Sequence, residues 1–110
     1  MGLTVITLEP KQPWEMVPYT IDFSRLSPFS AGVDKINGAA FAVFSSLDTS
    51  FLTPITAMVG PISYTDTTAT CRIGSGSDTA GTYILRCRVT CATTADQYEQ
   101  ECHFTVSQTT

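Results

Sequence analysis

Four cysteines, Cys71, Cys87, Cys91 and Cys102, and a single histidine, His103, are the residues of this 110-residue chain with the most chemical potential. They invite three readings: a thiolate metal site, a disulfide, or a Cys–His nucleophile pair. The metal reading fails on spacing. Cys87 and Cys91 sit four apart in an alternating run, "TYILRCRVTC". On a strand that separates them by about 13 Å, at about 3.3 Å per residue. Thiolates sharing a zinc ion must lie within about 4 Å of each other, since Zn–S is about 2.3 Å. No C-x-x-C pair occurs. A disulfide has one plausible pair. If Thr82–Cys91 and Tyr98–Ser107 form a hairpin centred near Thr94 and Ala95, Cys87 faces Cys102, Leu85 faces Phe104 and Tyr83 faces Val106. Opposed Cβ atoms are then about 4.5–5.5 Å apart, whereas a disulfide prefers about 3.5–4.5 Å. A Cys87–Cys102 bond would be strained, so four buried thiols acting as small hydrophobes are expected. His103 alternates outward with Glu99, Glu101 and Thr105. A nucleophile and its base must share a formed site, and this pattern describes a solvated strand face. The glycines of "GSGSDTAG" lack the Lys-Ser/Thr ending and following helix of a phosphate loop. They read as a turn. No catalytic residue, cofactor or metal is therefore expected.

The elements that would carry these residues are strands. Val, Ile, Thr, Tyr and Phe dominate, and such residues suit a pleated, half-buried surface. Short alternating runs are separated by Gly, Pro, Asp and Ser clusters, the pattern of a sandwich or barrel. "LTVITLE" is a strand or an arm. "YTIDFS" turns Tyr19, Ile21 and Phe23 one way. "AAFAVFS" is apolar on both faces. "FLTPITAMVG" contains Pro54, which points to an edge or a strand–turn–strand. "ATCRIGSG" turns Ala69, Cys71 and Ile73 inward, and the last two runs complete about seven strands. The fold class is all-β, a single antiparallel β-sandwich. Residues 1–18 read as an N-terminal arm and Pro-rich lead, and 19–110 as the sandwich domain. Trp14 lies in that lead, "EPKQPWEMVPY". An exposed Trp there is a candidate partner contact, but its large apolar area favours tucking over the end of the sandwich.

Charge narrows the partners. The formal net charge is −4 and the basic residues are scattered. Phosphate-backbone affinity rests on clustered Lys and Arg, so nucleic acid is not expected as a partner. No apolar run approaches a membrane span. The N-terminus lacks a basic region and a long apolar core, so no secretory leader is read. Ile6 stands where a myristoylation signal wants Ser or Thr. Synthesis in a cytosol, with reduced thiols, is the expectation.

Two segments carry a resemblance. "GSDTAGTYILRCRV" resembles the strand that bears the tyrosine corner of immunoglobulin-type domains, with Tyr83 as the corner residue. Leu85 stands where antibody domains place their bridging cysteine. Together with "KQPWEMVPYTIDFSRL", the segment resembles small immunoglobulin-like structural proteins of tailed phages and prophages, encoded in the head and tail gene region. The matching residues are Lys11, Pro13, Tyr19, Ile21, Asp22, Phe23, Ser24 and Leu26, then Gly76, Thr79, Gly81 and Tyr83. The resemblance implies an immunoglobulin-like or fibronectin-type sandwich and a non-enzymatic virion or assembly component. Such a protein contacts other phage structural proteins or itself. The alternative is a carbohydrate or cell-surface recognition module. That would require an exposed aromatic row, for which Trp14, Phe51 and Tyr64 are the candidates.

Overall fold

The computed structural model describes residues 6–26, 29, 32, 34–48 and 50–107. Seven strands appear in order: β1 (Ile6–Thr7), β2 (Val17–Asp22), β3 (Ile36–Ser45), β4 (Val59–Tyr64), β5 (Thr68–Ile73), β6 (Gly81–Cys91) and β7 (Gln97–Val106). A 3-10 turn, Thr56–Met58, leads into β4. One sheet has the order β1-β7-β6-β3 and the other β2-β5-β4. All pairings are antiparallel except that of β1 with β7. The chain is an all-β sandwich, as its composition and alternation predict. The first residues of the "LTVITLE" run, 3–5, lie outside the described residues.

Alternation places the core. Tyr19 and Ile21 of β2, with Phe23 just beyond its end, meet Phe41 and Val43 of β3 across the sandwich, with Ala69, Cys71 and Ile73 of β5. Tyr83, Leu85, Cys87, Val89 and Cys91 of β6 and Cys102, Phe104 and Val106 of β7 complete it. Phe104 is the hub of an aromatic cluster, 5.4 Å from Tyr83 in a stacked pair and 5.5 Å from Tyr19.

The β6–β7 register differs from the sequence expectation by two residues. Leu85 faces Cys102, Tyr83 faces Phe104 and Cys87 faces Gln100. The cause is the turn. Ala95 takes a left-handed conformation (φ 61°) and its N–H donates to the Cys91 carbonyl. The Cys91 N–H donates to the Asp96 carbonyl, so the loop closes one residue earlier than assumed. Asp34, from the segment before β3, accepts the N–H groups of Thr93 and Thr94 and holds that geometry. Cys87 and Cys102 become diagonal neighbours, about 7–8 Å apart, beyond disulfide reach.

Pro54 is in no strand. Residues 51–55 form a covering segment whose Ile55 N–H donates to the Val43 carbonyl at the side of β3. The edge strand is β4, which carries Pro61 instead. The lead packs onto the sandwich: Lys11 is buried, its N–H donates to Thr105 and its carbonyl accepts from Ser107.

Candidate functional site

The most heavily bonded polar cluster joins the lead to the glycine-rich turn. Lys11 Nζ lies 2.6 Å from Asp78 Oδ2, with both side chains out of solvent. The ammonium also donates to the carbonyls of Gln12 and Glu15, each at 2.9 Å. Asp78 accepts from the Ser75 hydroxyl and N–H, and its own N–H donates to Pro13. Burial pushes the Asp78 carboxyl up. The hydrogen bonds and charge of Lys11, with those of Ser75, outweigh this and hold it below the usual carboxylate range. One residue on, Thr79 offers its carbonyl to the Tyr83 hydroxyl at 2.5 Å. Tyr19 donates to Glu9 at 2.7 Å, and burial with the charges of Glu15 and Glu9 pushes its hydroxyl up to about 12. Gly74, at φ +134°, runs against the Glu15 carbonyl, where a Cβ has no room. Lys11 of the first phage-like segment and Asp78 of the second therefore fasten the lead to the glycine-rich turn. Sequence reasoning quoted Lys11 and Asp78 separately and missed their pairing. Burial was the missing information, because a lone Lys and a lone Asp in polar segments look solvated.

Wrapping the Lys11 ammonium forces a turn over Gln12–Glu15, closed by Glu15 N–H to the Gln12 carbonyl and by Gln12 N–H to Glu15 Oε1. Pro13 takes the position such turns favour. Trp14 lies at the apex and is 65% exposed, its Nε1 donating to Gln12 Oε1 at 3.3 Å. It does not tuck over the sandwich, because the space beneath the turn is filled by Lys11. Met16 beside it is also exposed.

Leu47 and Leu52, in the segment after β3, and Ile62 and Tyr64 of β4 are also exposed. Tyr64 donates to the Asn37 carbonyl at 2.8 Å. On the outer face of the larger sheet, Phe51 packs edge-on against Phe44 at 5.2 Å, and the Arg86 guanidinium lies over both rings. Phe51 holds φ 52° to do so, an uncommon conformation for a bulky residue. Arg86 and Arg88 both contact Glu99 Oε1, at 2.9 and 2.5 Å, beside an open groove of about 180 Å³ floored by Ala40, Ala42 and Phe44. Trp14, Phe51 and Tyr64 thus belong to three separate surfaces: the lead, the outer face of the larger sheet, and the β4 edge. They form no common row.

The cysteines lie in the core and His103 on the outer face, so they form no Cys–His pair. Cys71, Cys87, Cys91 and Cys102 are all buried free thiols. Burial, then the neighbouring Cys102 and Cys71, pushes Cys87 up to about 12. Burial and Glu101 push Cys102 up to about 11. A protonated thiol is a poor nucleophile and a poor metal ligand. His103 Nε2 lies 2.9 Å from Glu101 Oε2 on the outer face. Among the described residues, no group of three or more His, Cys, Asp or Glu is placed to hold a metal ion. No helix among them is long and apolar enough to cross a membrane.

Strand order β7-β6-β3 against β2-β5-β4, with a Tyr near the start of β6 bonded back to the preceding turn, defines an immunoglobulin-like sandwich. The polar residues of its motifs are engaged in holding the fold. The family model described as "Podophage GP4 fiber-tail adaptor protein gp77" matches residues 11–107, and the chain belongs to that family of phage structural proteins. The ends of the matched stretch touch, through the bond from Ser107 N–H to the Lys11 carbonyl. No curated protein and no solved structure matches the chain.

Proposed function

We propose that the chain is a non-enzymatic connector of the podophage tail, joining tail and fibre through protein–protein contacts. The family match over residues 11–107 carries this reading. The exposed Trp14–Met16 lead supplies one contact surface. An aromatic held out by a rigid turn is the kind of anchor that dominates binding energy, because little ordering is left to be lost on docking. The Lys11–Asp78 pair provides that rigidity. On this reading the chain works without a cofactor, metal, nucleic acid or membrane. It is made in the bacterial cytoplasm and ends in the virion. The separation of Trp14, Phe51 and Tyr64 onto three surfaces gives the carbohydrate-recognition alternative no support.

The test is complementation of the phage that encodes the chain with a Trp14→Ala, Met16→Ala variant, counting fibre and connector copies per purified particle. The expected result is a normally folded protein and particles depleted in fibre. Unchanged fibre occupancy would exclude the lead as a contact. Absence of the wild-type chain from purified particles would exclude the connector reading.

A further inference from the structure

Trp14 and Met16 stand beside a groove. Residues 9 and 10 and the start of β2 enclose a cleft of about 340 Å³. Its lining is mostly apolar, from Pro10, Val17, Pro18 and the Tyr19 ring, with Glu9 and Glu15 as its two charged members. The bond from the Tyr19 hydroxyl to the Glu9 carbonyl ties its two sides together, so its shape is set before any partner arrives. Ligand pockets begin at about 300 Å³, so this one suits a single long side chain. Glu15 joins the cleft to the apolar pair, since Trp14 and Met16 are its neighbours in the chain and both are exposed.

Charge says what the cleft wants. After burial, Glu15 and then Glu9 push the Tyr19 hydroxyl up, so both charges bear on the same place. Glu15 Oε1 accepts the Gln12 N–H, while Oε2 and the Glu9 carboxylate have no partner among the described residues. All six Lys and Arg of the chain are described, and none forms an ion pair with either carboxylate. Lys11 is held by Asp78, and Arg86 and Arg88 by Glu99. Arg72, opposite Pro18 on β5, makes no ion pair. An apolar floor and two uncompensated carboxylates thus lie next to an exposed indole.

We propose that this surface accepts a basic segment of a partner protein, with an arginine laid in the cleft, its guanidinium at Glu9 and at Glu15 Oε2, and an adjoining apolar residue resting on Trp14 and Met16. The floor and the rim select the same side chain. The aliphatic stem of an arginine covers apolar surface while its charged head stays at the wet rim. Its planar fork donates to two carboxylates at once, where a lysine offers a point charge. Complementary charge sets the register of the docked segment, and the same carboxylates repel an acidic one. The proposal rests on the connector reading, in which the lead is a contact surface, and names the partner's chemistry there. Fibre occupancy of particles tests that reading and the isolated chain tests this one, so either can fail alone.

Trp14 is the only tryptophan of the chain, so its fluorescence and its indole N–H resonance report this surface alone. The probes are a capped hexapeptide alternating leucine and arginine and its leucine–glutamine counterpart. The arginine peptide should move the Trp14 signals and bind at least about tenfold more tightly than the glutamine peptide. Raising the ionic strength from about 0.01 M to about 1 M shortens the screening length from about 30 Å to about 3 Å and should reduce that preference below about threefold. Glu9→Gln changes an exposed side chain that makes no bond, so it should lower the preference and leave the fold intact. Glu15→Gln keeps an oxygen for the Gln12 N–H, and the double variant should bind the two peptides equally. No movement of the Trp14 signals by the arginine peptide at about 1 mM would overturn the surface as a site. Equal binding of both peptides by the wild type, or a preference that survives in the double variant, would overturn the role of the carboxylates. Trp14 signals that move with protein concentration alone would assign the surface to a second copy and overturn the choice of partner.

Discussion

Removing the Lys11–Asp78 pair should loosen the lead that displays Trp14. Asp78→Asn keeps size and shape and removes one charge. Lys11 is then left with its side chain out of solvent and only the Gln12 and Glu15 carbonyls as partners. Breaking one side of a buried pair costs about 3–5 kcal/mol, against a total stability of about 5–15 kcal/mol for a domain. At a urea slope of about 1.5 kcal/mol/M, a 3 kcal/mol loss lowers the midpoint by about 2 M. Lys11→Met gives a loss of the same order. The double variant should recover part of it, with a coupling of about 1–3 kcal/mol in the thermodynamic cycle. The pH dependence supplies an independent check. The Asp78 carboxyl lies below its ordinary range in the folded state. Its contribution is present above the unfolded value, about pH 4, and is lost as pH falls through the folded one. Urea midpoints at pH 7 and pH 3 should therefore converge for wild type and Asp78→Asn. Additive single losses, or a gap that stays constant on acidification, would refute the reasoning.

Three further outcomes follow from the same geometry. Tyr83→Phe should cost about 1 kcal/mol in a denaturation experiment through the lost bond to Thr79, because the packing on Phe104 is retained. Gly74→Ala should cost more than about 2 kcal/mol, since it combines φ +134° with a clash against the Glu15 carbonyl; a measured loss below that would show that the turn can shift. Native protein at pH 8 should resist alkylation at Cys87 and Cys102, held near 12 and 11 by burial, and should take up four alkyl groups per chain once denatured. Mass spectrometry reads both states.

Strand identity was legible because alternation reports which face is buried. Ala69, Cys71 and Ile73, like Tyr83 through Cys91, turn inward in the structure as the sequence predicts. Register was only half legible, and the β6–β7 hairpin shows why. A one-residue slip exposes the apolar set, so periodicity excludes it. A two-residue slip keeps every side chain on its face. Leu85 opposite Cys102 and Leu85 opposite Phe104 are equally apolar pairs. What selects between them is the turn, and the turn is fixed by Asp34, almost sixty residues away in sequence. Gln100 is buried on the inner face in either register, and the selected one sets it opposite Cys87. Local pattern cannot encode that choice.

The same division explains why the motifs speak for the fold and the surfaces do not. Lys11 and Tyr19 each bond one segment to another, Tyr83 bonds back to Thr79 in the turn before its strand, and Asp22 accepts from Ser24 in the turn after β2. Their spacing is constrained by geometry, so they recur as a readable pattern. Trp14, Leu47 and Leu52 are exposed and constrained only by whatever covers them. Trp14 shows the consequence. Its apolar area argued for burial, and its exposure became evident only once the buried ammonium beneath the turn was located. A buried charge pair is weak evidence for stability, since apolar residues of equal volume often serve as well. Here it does something they cannot. The ammonium gathers the Gln12 and Glu15 carbonyls into one turn and sets the direction in which the indole points. The pair is thus better understood as fixing the presentation of a contact surface than as strengthening the core.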